Sequence, residues 1–483
     1  MPRQYISDII TNDEIAKWQN GNRILIYSQT GSGKSFFIKE NLYNYCKPIG
    51  KKILLLSNRN LLKNQNIVDI EGKEDVIDAK NYQTFESIIS KGEKTLEELI
   101  YIYDYIVCDE IHYPFADSMF NDNTHLILPL IKNKYKDKIC IYITATPQEL
   151  LDYQDDYDFK YNMQFDYSYI ENLYFYNKTK YSTIVHSIIK NIPSNEKILY
   201  FGSTALDCWE MSQDFDNSKF ICSPSNKMGI YSDQETMKQI VYNSKFECRI
   251  LFSTCILDNG INIIDKDLKH IFIEAMNPVA FIQYLGRKRI ISDDDKINLY
   301  VRSYSNSNIW YIYNNFKVKL KNISDIQNSN SIDTYLKKEV DNILDIKSEV
   351  LNEAKLQHYK SQKIMLFDMY DMYDPEYYKY YICNMLNFDF NNIKQPNEEF
   401  EFETLYEILE SYVGKMMFKR DKGIFKNIIF SNVFVPKKTN YRKRGFAAAK
   451  NVIAEDGLPF TLNSRQERGS ENRGQRYWIV ERI

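Results

Sequence analysis

Residues 23–35 read RILIYSQTGSGKS and indicate the fold class. The apolar run RILIY has the character of a buried strand, the loop after it has glycine at positions 31 and 33, and the helical pattern FFIKENL follows directly. In such a strand–loop–helix unit, backbone N–H groups can wrap around phosphates at a helix N-terminus, where the helix dipole also favours anions. The stretch therefore predicts a phosphate-binding loop in a parallel α/β domain.

The side chains of this loop are suited to ATP and Mg²⁺. Lys34 would reach the β- and γ-phosphates, and Ser35 would place its hydroxyl on the metal. The strict loop pattern begins with glycine where this chain has Ser28, so the loop by itself leaves open a plain glycine turn with an exposed lysine. The predicted nucleotide-binding residues of the loop are Gly31, Ser32, Gly33, Lys34 and Ser35.

A second polar group follows the apolar run YDYIVC, which leads directly into DEIH at 109–112. Acidic residues at the carboxyl end of a parallel strand face the ligand crevice. Asp109 is therefore placed to bind the nucleotide's Mg²⁺, and Glu110 to orient and deprotonate the attacking water. The alternative is a solvated acidic loop end, which the apolar strand before it disfavours.

Short apolar strands alternate with amphipathic helical stretches up to about residue 305, a pattern typical of parallel α/β layers. Near-continuous apolar character suits strands that are covered on both faces. The pattern predicts two tandem units with a linker in the tyrosine-rich stretch near 150–180. The candidate strands are RILIY (23–27), KILLLS (52–57), YIVCDE (105–110) and KICIYITAT (138–146) in the first unit, and EKILYFGS (196–203), KFICS (219–223), CRILFST (248–254), KHIFIEA (269–275) and INLYVRS (297–303) in the second.

Eight short motifs follow one another in the order of the superfamily 2 helicases of the DExH-box type, which the chain resembles over about residues 1–305. Each string alone is weak evidence, whereas eight in order are strong. The resemblance implies two RecA-like domains with ATP in the cleft between them and a nucleic-acid strand across their top. The matching strings are SQTGSGKS (28–35, motif I), SNRNLL (57–62, Ia), NYQTF (81–85, Ib), DEIH (109–112, II), TAT (144–146, III), ILYFGST (198–204, IV), FSTCILDNGINI (252–263, V) and QYLGRKR (283–289, VI).

The resemblance also implies roles for individual residues. Arg287 would be the arginine finger of the second domain, which stabilises charge on the γ-phosphoryl as it transfers. Gln283 would contact the nucleotide or the attacking water. The residues that would couple closure of the cleft to the nucleic-acid face are His112, Thr144, Thr146 and, for a tight turn in motif V, Gly260.

Nucleic-acid contacts, mostly to phosphate and therefore without sequence information, are implied for Arg59, Gln83, Ser203 and Thr254. Plainer interpretations exist for several of these. Arg59 is also compatible with a surface charge at a helix start, and Ser203 and Thr254 are good N-cap candidates at strand-to-helix junctions. Only the positions of these residues relative to the phosphate loop and the DEIH motif favour the functional interpretation.

Two departures from the family pattern matter. Motif VI usually reads Q-x-x-G-R-x-x-R, but Ile290 stands at the last position and Arg289 comes one residue early. Either Arg289 takes over that contact as a further catalytic residue, or the site uses Arg287 alone. The aromatic residue and Q motif that DEAD-box RNA helicases use for adenine are absent, and TNDE at 11–14 instead predicts a capping box that opens a helix. No residue is assigned to adenine, and an RNA helicase becomes the less favoured interpretation.

The C-terminal part changes character. Residues 306–435 have a helical pattern without a motif, whereas 436–483 contain eleven basic and five acidic residues, a net charge of +6 in a chain that carries −3 overall. A helix followed by the strand-like pieces FTLNS and RYWIV predicts the second half of a winged-helix domain that binds a duplex or fork. The predicted contacts are Arg442, Lys443, Arg444, Arg465, Arg468, Arg473 and Arg476.

The predicted fold class is therefore α/β, with two tandem RecA-like parallel-sheet P-loop domains at 1–165 and 166–305. A helical accessory region at 306–435 and a small basic winged-helix-like segment at 436–483 complete the predicted organisation.

Composition limits the class of protein. With 44% apolar and 26% charged residues among 483, the chain can bury sizeable cores and has too little charge for wholesale disorder. Its near-neutral charge excludes a uniformly basic coat. None of the eight cysteines forms a C-x-x-C pair, so buried thiols are expected rather than zinc ligands or disulfides. No apolar run approaches the roughly 18 residues of a membrane helix, and a cytoplasmic protein that contacts no membrane is expected.

The leading hypothesis is an ATP-driven nucleic-acid motor, a DNA helicase or translocase that acts on DNA rather than RNA. Its competitors are a nucleic-acid-binding regulatory or loading ATPase that switches without separating strands, and an RNA helicase. A P-loop kinase would need no second-domain arginine, and QYLGRKR counts against it. The abundance of tyrosine, at 39 residues against 16 glycines, is what codon usage in an AT-rich genome produces. A bacterial mobile element or phage, with replication or mobile-element proteins as partners, is the corresponding expectation.

Overall fold

The computed structural model divides the chain into two compact units. The first comprises Met1–Asn172, Lys197–Leu299 and Tyr304–Asn392, and the second comprises Leu173–Glu196, Tyr300–Ser303 and Ile393–Ile483. The residues that the structure describes are 5–29, 31–58, 70–153, 155–163, 165–178, 184–257, 261–328, 344–345, 350–400, 405–431, 445–455, 457–469 and 472–483.

The strands are numbered here in chain order. They are β1 (Arg23–Tyr27), β2 (Ile53–Ser57), β3 (Ile77–Asn81), β4 (Tyr105–Asp109), β5 (Ile139–Thr144), β6 (Phe159–Asn162), β7 (Ile170–Asn177), β8 (Lys197–Phe201), β9 (Ser218–Ile221), β10 (Ile250–Ser253), β11 (Leu268–Ile273), β12 (Ile297–Ser303), β13 (Leu344–Asp345), β14 (Val350–Leu351), β15 (Phe460–Gln466) and β16 (Arg476–Arg482).

The first sheet is parallel and follows the order β3-β2-β4-β5-β1-β6. Successive residues of a strand point to opposite faces of a sheet. Ile24 and Ile26 accordingly join one hydrophobic cluster with Ile141, whereas Leu25 joins another with Tyr142. Both faces are therefore covered, and this is why the strands consist of almost unbroken apolar runs.

The second sheet follows the order β7-β12-β11-β8-β10-β9. Strand β8 pairs in parallel with β10 and β11, and β10 pairs in parallel with β9. The prediction of two tandem parallel sheets is confirmed. The tyrosine-rich stretch expected as a linker contains β6, which adds to the first sheet, and β7, which belongs to the second. The connection between the sheets is accordingly shorter than predicted.

Helices and turns connect these strands, and among the described residues none of the helices is both long enough and apolar enough to cross a membrane. The helices are α1 (Ile6–Ile9), α2 (Asn12–Ile15), α3 (Lys34–Phe36), α4 (Tyr43–Cys46), α5 (Tyr82–Ser90), α6 (Leu96–Ile100), α7 (Tyr113–Ala116), α8 (Pro129–Lys132), α9 (Ile184–Asn191), α10 (Ala205–Ser212), α11 (Gln234–Asn243), α12 (Pro278–Leu285), α13 (Asn306–Asn328), α14 (Glu353–Asp368), α15 (Tyr377–Leu386), α16 (Pro396–Glu399), α17 (Leu405–Tyr412), α18 (Lys419–Ser431) and α19 (Phe446–Glu455), with a π-helix at Phe37–Leu42 and short 3₁₀ turns that include Pro147–Tyr153.

The predicted capping box at residues 11–14 is wrong in its chemistry. Thr11 is the N-cap residue of α2, as expected, but its side chain makes no capping hydrogen bond. The Glu14 carboxylate instead accepts hydrogen bonds from Lys17 and from the Tyr161 hydroxyl. A complete capping box occurs at α6, where Thr95 and Glu98 exchange side-chain to backbone hydrogen bonds.

The second unit contains a hydrophobic core that joins three helices to a hairpin. The helices are α17, α18 and α19, and the hairpin is the antiparallel pair β15 and β16. Leu409 and Phe425 share this core with Leu462 and Trp478. The helix and two strands predicted near the C-terminus are therefore present, and their apolar faces pack against residues that precede 436.

The cysteines carry free thiols, as predicted, in the part of the chain that the structure describes. Cys255 differs from the expectation of burial because its side chain is exposed, in the short turn Cys255–Leu257 that follows β10. The other seven are buried. Burial raises the pKa of the Cys46 thiol to about 12, so this group stays protonated and behaves as a small apolar side chain.

Candidate nucleotide site

The phosphate-binding loop after β1 makes a tight turn. Gly31 and Gly33 have φ angles of +80° and +84°, in the left-handed region that favours glycine. The Ser32 hydroxyl donates to the Gln29 carbonyl at 2.8 Å, and the Ile6 N–H donates to the Ser32 carbonyl at 3.0 Å. Helix α3 begins directly after Gly33. The described residues of the loop thus combine two glycines at positive φ with a helix that follows directly.

Lys34 forms a buried ion pair with Glu110. The Nζ atom lies 2.9 Å from Oε1, and both side chains are buried. The pair arises because β1 and β4 belong to the same parallel sheet, separated only by β5, and their carboxyl ends lie at one edge. The cation predicted for phosphate and the carboxylate predicted for water therefore lie side by side.

Glu110 is unusual in its backbone and its charge. Its φ of +52° lies in the left-handed region, which non-glycine residues adopt where surrounding structure imposes it, commonly at functional sites. Burial would raise the pKa of the Glu110 carboxyl, but the charges of Lys34, His112 and Arg287 outweigh burial and lower it to about 2. Glu110 is therefore ionised at neutral pH.

The neighbouring carboxyl of Asp109 behaves in the opposite way. Burial raises the pKa of Asp109 to about 6 against the charge of Lys34, and the charge of Glu110 adds to the rise. Asp109 Oδ1 accepts the Glu110 N–H at 3.1 Å, and the Tyr82 hydroxyl donates to its carbonyl at 2.9 Å. Ser35, in α3, is exposed. A hydroxyl and a carboxylate oxygen are ligands that Mg²⁺ prefers, so these donors fit the predicted metal.

Three of the residues predicted to couple cleft closure to the nucleic-acid face form one cluster: His112, Thr144 and Thr146. His112 Nδ1 lies 3.2 Å from Thr144 Oγ1 and 3.4 Å from Thr146 Oγ1, and the Thr146 N–H donates to Thr144 Oγ1 at 3.0 Å. His112 Nδ1 also lies 3.4 Å from Glu110 Oε2. The threonine hydroxyls thus connect the end of β5 to His112, which contacts the Glu110 carboxylate.

The domain built on the second sheet provides two residues that act on the Glu110 carboxylate, Gln283 and Arg287. Gln283, in α12, donates from Nε2 to Glu110 Oε2 at 3.4 Å. Arg287 is buried and donates to the Gln283 side-chain oxygen at 2.6 Å and to the carbonyls of Gln283 and Ile261 at 2.7 and 3.2 Å. Both domains of the first unit therefore meet at Glu110.

The three consecutive basic residues of motif VI have three different environments. Arg287 is hydrogen-bonded to Gln283 and its charge lowers the pKa of Glu110, whereas Lys288 is buried in the second domain against the Asp295 carboxylate at 2.7 Å. Arg289 donates from Nε to Asn262 Oδ1 at 2.7 Å. It also lines a small cavity with Gln29 and Tyr167. Arg287 and Arg289 are therefore not interchangeable in this arrangement.

The predicted nucleic-acid contacts of the two domains lie in different settings. Gln83 accepts from Asn81 Nδ2 at 3.4 Å in the first turn of α5. Ser203 is exposed and donates to Glu274 Oε2 at 3.1 Å, whereas Thr204 rather than Ser203 is the N-cap of α10. Thr254 is half-buried after β10. Arg59 and Gly260 lie outside the described residues.

The basic residues predicted near the C-terminus lie on and around the β15–β16 hairpin. Arg465 forms an ion pair with Glu481 at 2.6 Å. The four arginines predicted there, Arg465, Arg468, Arg473 and Arg476, are all exposed, and the cluster Arg442, Lys443 and Arg444 lies outside the described residues.

Two contacts at the phosphate loop carry no signal in the sequence. The Tyr5 ring lies against Gly33, where an added Cβ atom would be 3.3 Å from Tyr5 Cδ1. Gln29 exchanges hydrogen bonds with the Asp166 backbone, its Nε2 donating at 3.4 Å and its Oε1 accepting at 3.1 Å. Residues far apart in the chain therefore support the loop, and only the shape of the first sheet brings them there.

Comparisons with known proteins concern the fold. No family model and no curated protein matches the chain. Solved structures match it at low identity. Dbp5 of S. cerevisiae bound to RNA and ADP BeF3 is 13% identical, over 71% of this chain and 89% of that chain, with a TM-score of 0.44. The DEAD-box helicase Mss116 bound to ssRNA and UDP-BeF is 13% identical, over 76% and 87%, with a TM-score of 0.45. The Escherichia coli DEAH/RHA helicase HrpB is 11% identical, over 62% and 42%, with a TM-score of 0.43.

Proposed function

We propose that this chain is a nucleic-acid-dependent ATPase motor that hydrolyses ATP between its two parallel-sheet domains. The observation that carries the proposal is the Glu110 carboxylate, which Lys34 and His112 contact from the first domain and Gln283 contacts from the second. A single carboxylate that receives groups from both domains can make hydrolysis depend on their closure. The eight ordered motifs support the same function.

The reaction follows from the residues present. ATP phosphates would compete with Glu110 for Lys34, since both are anions within reach of the same ammonium group. Removal of that cation would raise the pKa of Glu110 from about 2 toward a value at which the carboxylate accepts a proton from water more readily. Phosphate binding would thus activate Glu110 as the base that deprotonates the water, and this water would attack the γ-phosphoryl group.

Mg²⁺ would be held by Ser35 and Asp109, and when bound it neutralises charge on the phosphates. Arg287 would add positive charge as the γ-phosphoryl transfers. Its buried guanidinium is oriented by the Gln283 side chain and backbone carbonyl. We propose Arg287 alone as the arginine finger, since Arg289 is engaged with Asn262.

The nucleic acid that the motor acts on is proposed to be DNA, with contacts in the second unit. Helices α17, α18 and α19 followed by the β15–β16 hairpin have the element order of a winged-helix domain, and Met417, between α17 and α18, pairs with Trp478 of the hairpin. The exposed arginines of the hairpin would contact phosphates. Motif residues Arg59, Gln83, Ser203 and Thr254 would contact the strand on the motor domains.

ATP hydrolysis measured with single-stranded DNA, duplex DNA and RNA of matched sequence tests this proposal. We expect DNA to stimulate the wild-type chain more than RNA does, and Lys34→Ala to show no hydrolysis with any of them. Stronger stimulation by RNA would favour the RNA-helicase alternative. Stimulation without strand displacement from a partial duplex would favour the ATPase switch, and hydrolysis unaffected by any nucleic acid would contradict the motor.

A further inference from the structure

A buried carboxylate lies immediately after motif III. Glu149 belongs to the 3₁₀ turn Pro147–Tyr153 that follows β5, three residues beyond Thr146, and its side chain is fully buried. A carboxylate removed from water is costly unless other groups replace the lost hydrogen bonds. The hydrogen-bond partners of Glu149 therefore identify the element that this turn contacts specifically.

The partners of Glu149 come from one face of helix α14. Ser361 Oγ donates to Oε2 at 2.8 Å, and Gln362 Nε2 donates to Oε1 at 3.3 Å. His358 Nδ1 lies 3.6 Å from Oε2. Residues 358, 361 and 362 share a helix face by their spacing of three and four. The face of α14 that meets the first domain is thus arranged around this carboxylate, more than 200 residues away in the chain.

Further ion pairs connect α14 to the first domain around this centre, among them Lys355 with Asp122, whose carboxylate is 86% exposed. Lys360 pairs with Asp152 at 2.7 Å, and these side chains are 44% and 47% exposed. Glu353 pairs with Lys132 at 2.6 Å, also at the surface. Exposed ion pairs contribute little to stability or geometry. The buried contacts of Glu149 are therefore the specific link between α14 and the turn.

This link continues to the catalytic carboxylate. From Glu149 the turn leads back to Thr146 and Thr144, whose hydroxyls contact His112, and His112 contacts Glu110. We propose that Glu149 is a positioning residue through which α14 fixes the Thr144–Thr146 hydroxyls, and with them the orientation of Glu110 for hydrolysis. The inference rests on the proposed function, because it needs Glu110 to act in ATP hydrolysis.

Ser361→Ala tests the proposal with little change in volume. It removes the hydroxyl that donates to Glu149 and leaves the first domain unaltered. We expect the kcat of DNA-stimulated hydrolysis to fall by about 3- to 10-fold, the size of effects seen for coupling residues outside a site, with KM for ATP within about twofold. Glu149→Gln should lower kcat in the same way. Lys360→Ala removes the exposed ion pair of α14 with Asp152, which belongs to the same turn as Glu149; this variant is the matched control and should keep wild-type kcat.

A double-mutant cycle separates positioning from simple support of the fold. If Ser361 acts through the motif III hydroxyls, Ser361→Ala should lower kcat by less than about twofold in a Thr146→Ala background, because residues of one network are not additive. An equal fold-loss in both backgrounds overturns the proposal, as does wild-type kcat in both Ser361→Ala and Glu149→Gln. A lowered melting temperature with unchanged kcat per folded molecule also overturns it. A wild-type chain without ATP hydrolysis would be recognised in the first assay, and it would overturn the proposed function together with this inference.

Discussion

Charged side chains at the carboxyl edge of the first sheet and charged side chains on the C-terminal hairpin are in opposite environments. Lys34, Glu110 and Arg287 are buried, and each has partners within hydrogen-bond distance. Arg468 and Arg473 on the hairpin of the second unit are exposed. The same residue types thus occur in a desolvated cluster and on a solvated surface.

This difference predicts how each region responds to substitution. Charges in a buried cluster interact strongly and shift one another's pKa, as the opposite shifts of Asp109 and Glu110 show. Charges on an exposed hairpin are screened by salt and act through their number. Single substitutions should therefore have large effects in the first region and small, additive, salt-dependent effects in the second.

Substitutions of Lys34 and Glu110 should reduce activity most. Lys34→Ala should abolish ATP turnover and weaken ATP binding, because the phosphates lose their cation. Glu110→Gln should lower kcat by up to about 10⁴-fold, as expected for loss of a general base, and should retain ATP binding. Steady-state hydrolysis and nucleotide affinity, measured on the same preparations, distinguish the two roles. Wild-type turnover in Lys34→Ala would contradict the site.

The next prediction compares substitutions of two arginines in motif VI. Arg287→Ala should lower kcat by about 10²- to 10³-fold, the cost of removing a group that stabilises transition-state charge, with little change in ATP affinity. Arg289→Ala should keep kcat close to wild type because its guanidinium bonds Asn262. Rate measurements at saturating ATP with DNA decide between them. An equal loss in both variants would make Arg289 a second finger, and no loss in either would contradict hydrolysis between the two domains.

The sequence predicted those parts of the site that depend on local patterns. Buried parallel strands appear as apolar runs, the phosphate loop requires glycine at positive φ, and the carboxylates follow β4 directly. Gln283 and Arg287 were singled out by their order along the chain; Gln283 donates to Glu110, and the charge of Arg287 lowers the pKa of the Glu110 carboxyl.

Contacts between distant segments could not be predicted. Glu149 and Ser361 are 212 residues apart, and a single glutamate has no pattern that identifies a serine partner so far away. The capping box at residues 11–14 failed for a similar reason, because Tyr161 competes for the Glu14 carboxylate. Tertiary partners of this kind decide which local hydrogen bonds form.

A smaller effect is expected on the hairpin. The double variant Arg468→Gln/Arg473→Gln should weaken DNA binding. The slope of the logarithm of the DNA-binding constant against the logarithm of salt concentration should become shallower by roughly 0.9 for each phosphate that the hairpin no longer neutralises. ATP hydrolysis without DNA should stay unchanged. Truncation from Pro436 would be a poorer test, because it removes Leu462 and Trp478 from the core that contains Leu409. Arg482→Gln is the control, since Arg482 already pairs with Glu410. DNA binding titrated at several salt concentrations gives the slope, and an unchanged slope would assign the hairpin to another role.

The smallest effect concerns Glu86, a buried carboxyl group outside the Lys34–Glu110 cluster, and it tests whether burying this group costs stability. Glu86 is buried, and its Oε2 accepts from Asn121 Nδ2 at 2.6 Å and from the Tyr113 hydroxyl at 3.2 Å. Burial raises the pKa of Glu86 above its ordinary value although both hydrogen bonds oppose the rise. The folded chain therefore binds this proton more tightly than the unfolded chain, and its stability decreases as pH rises through the raised pKa.

Glu86→Gln has no such proton, so it should be more stable than wild type at neutral pH, by on the order of 1 kcal/mol, and this advantage should shrink as pH falls toward 4. Urea unfolding midpoints of the wild-type and Glu86→Gln chains at several pH values measure the difference in stability. The other carboxyl groups titrate in both chains, so their contributions cancel in this difference. A constant difference across pH would show that the Glu86 proton does not contribute.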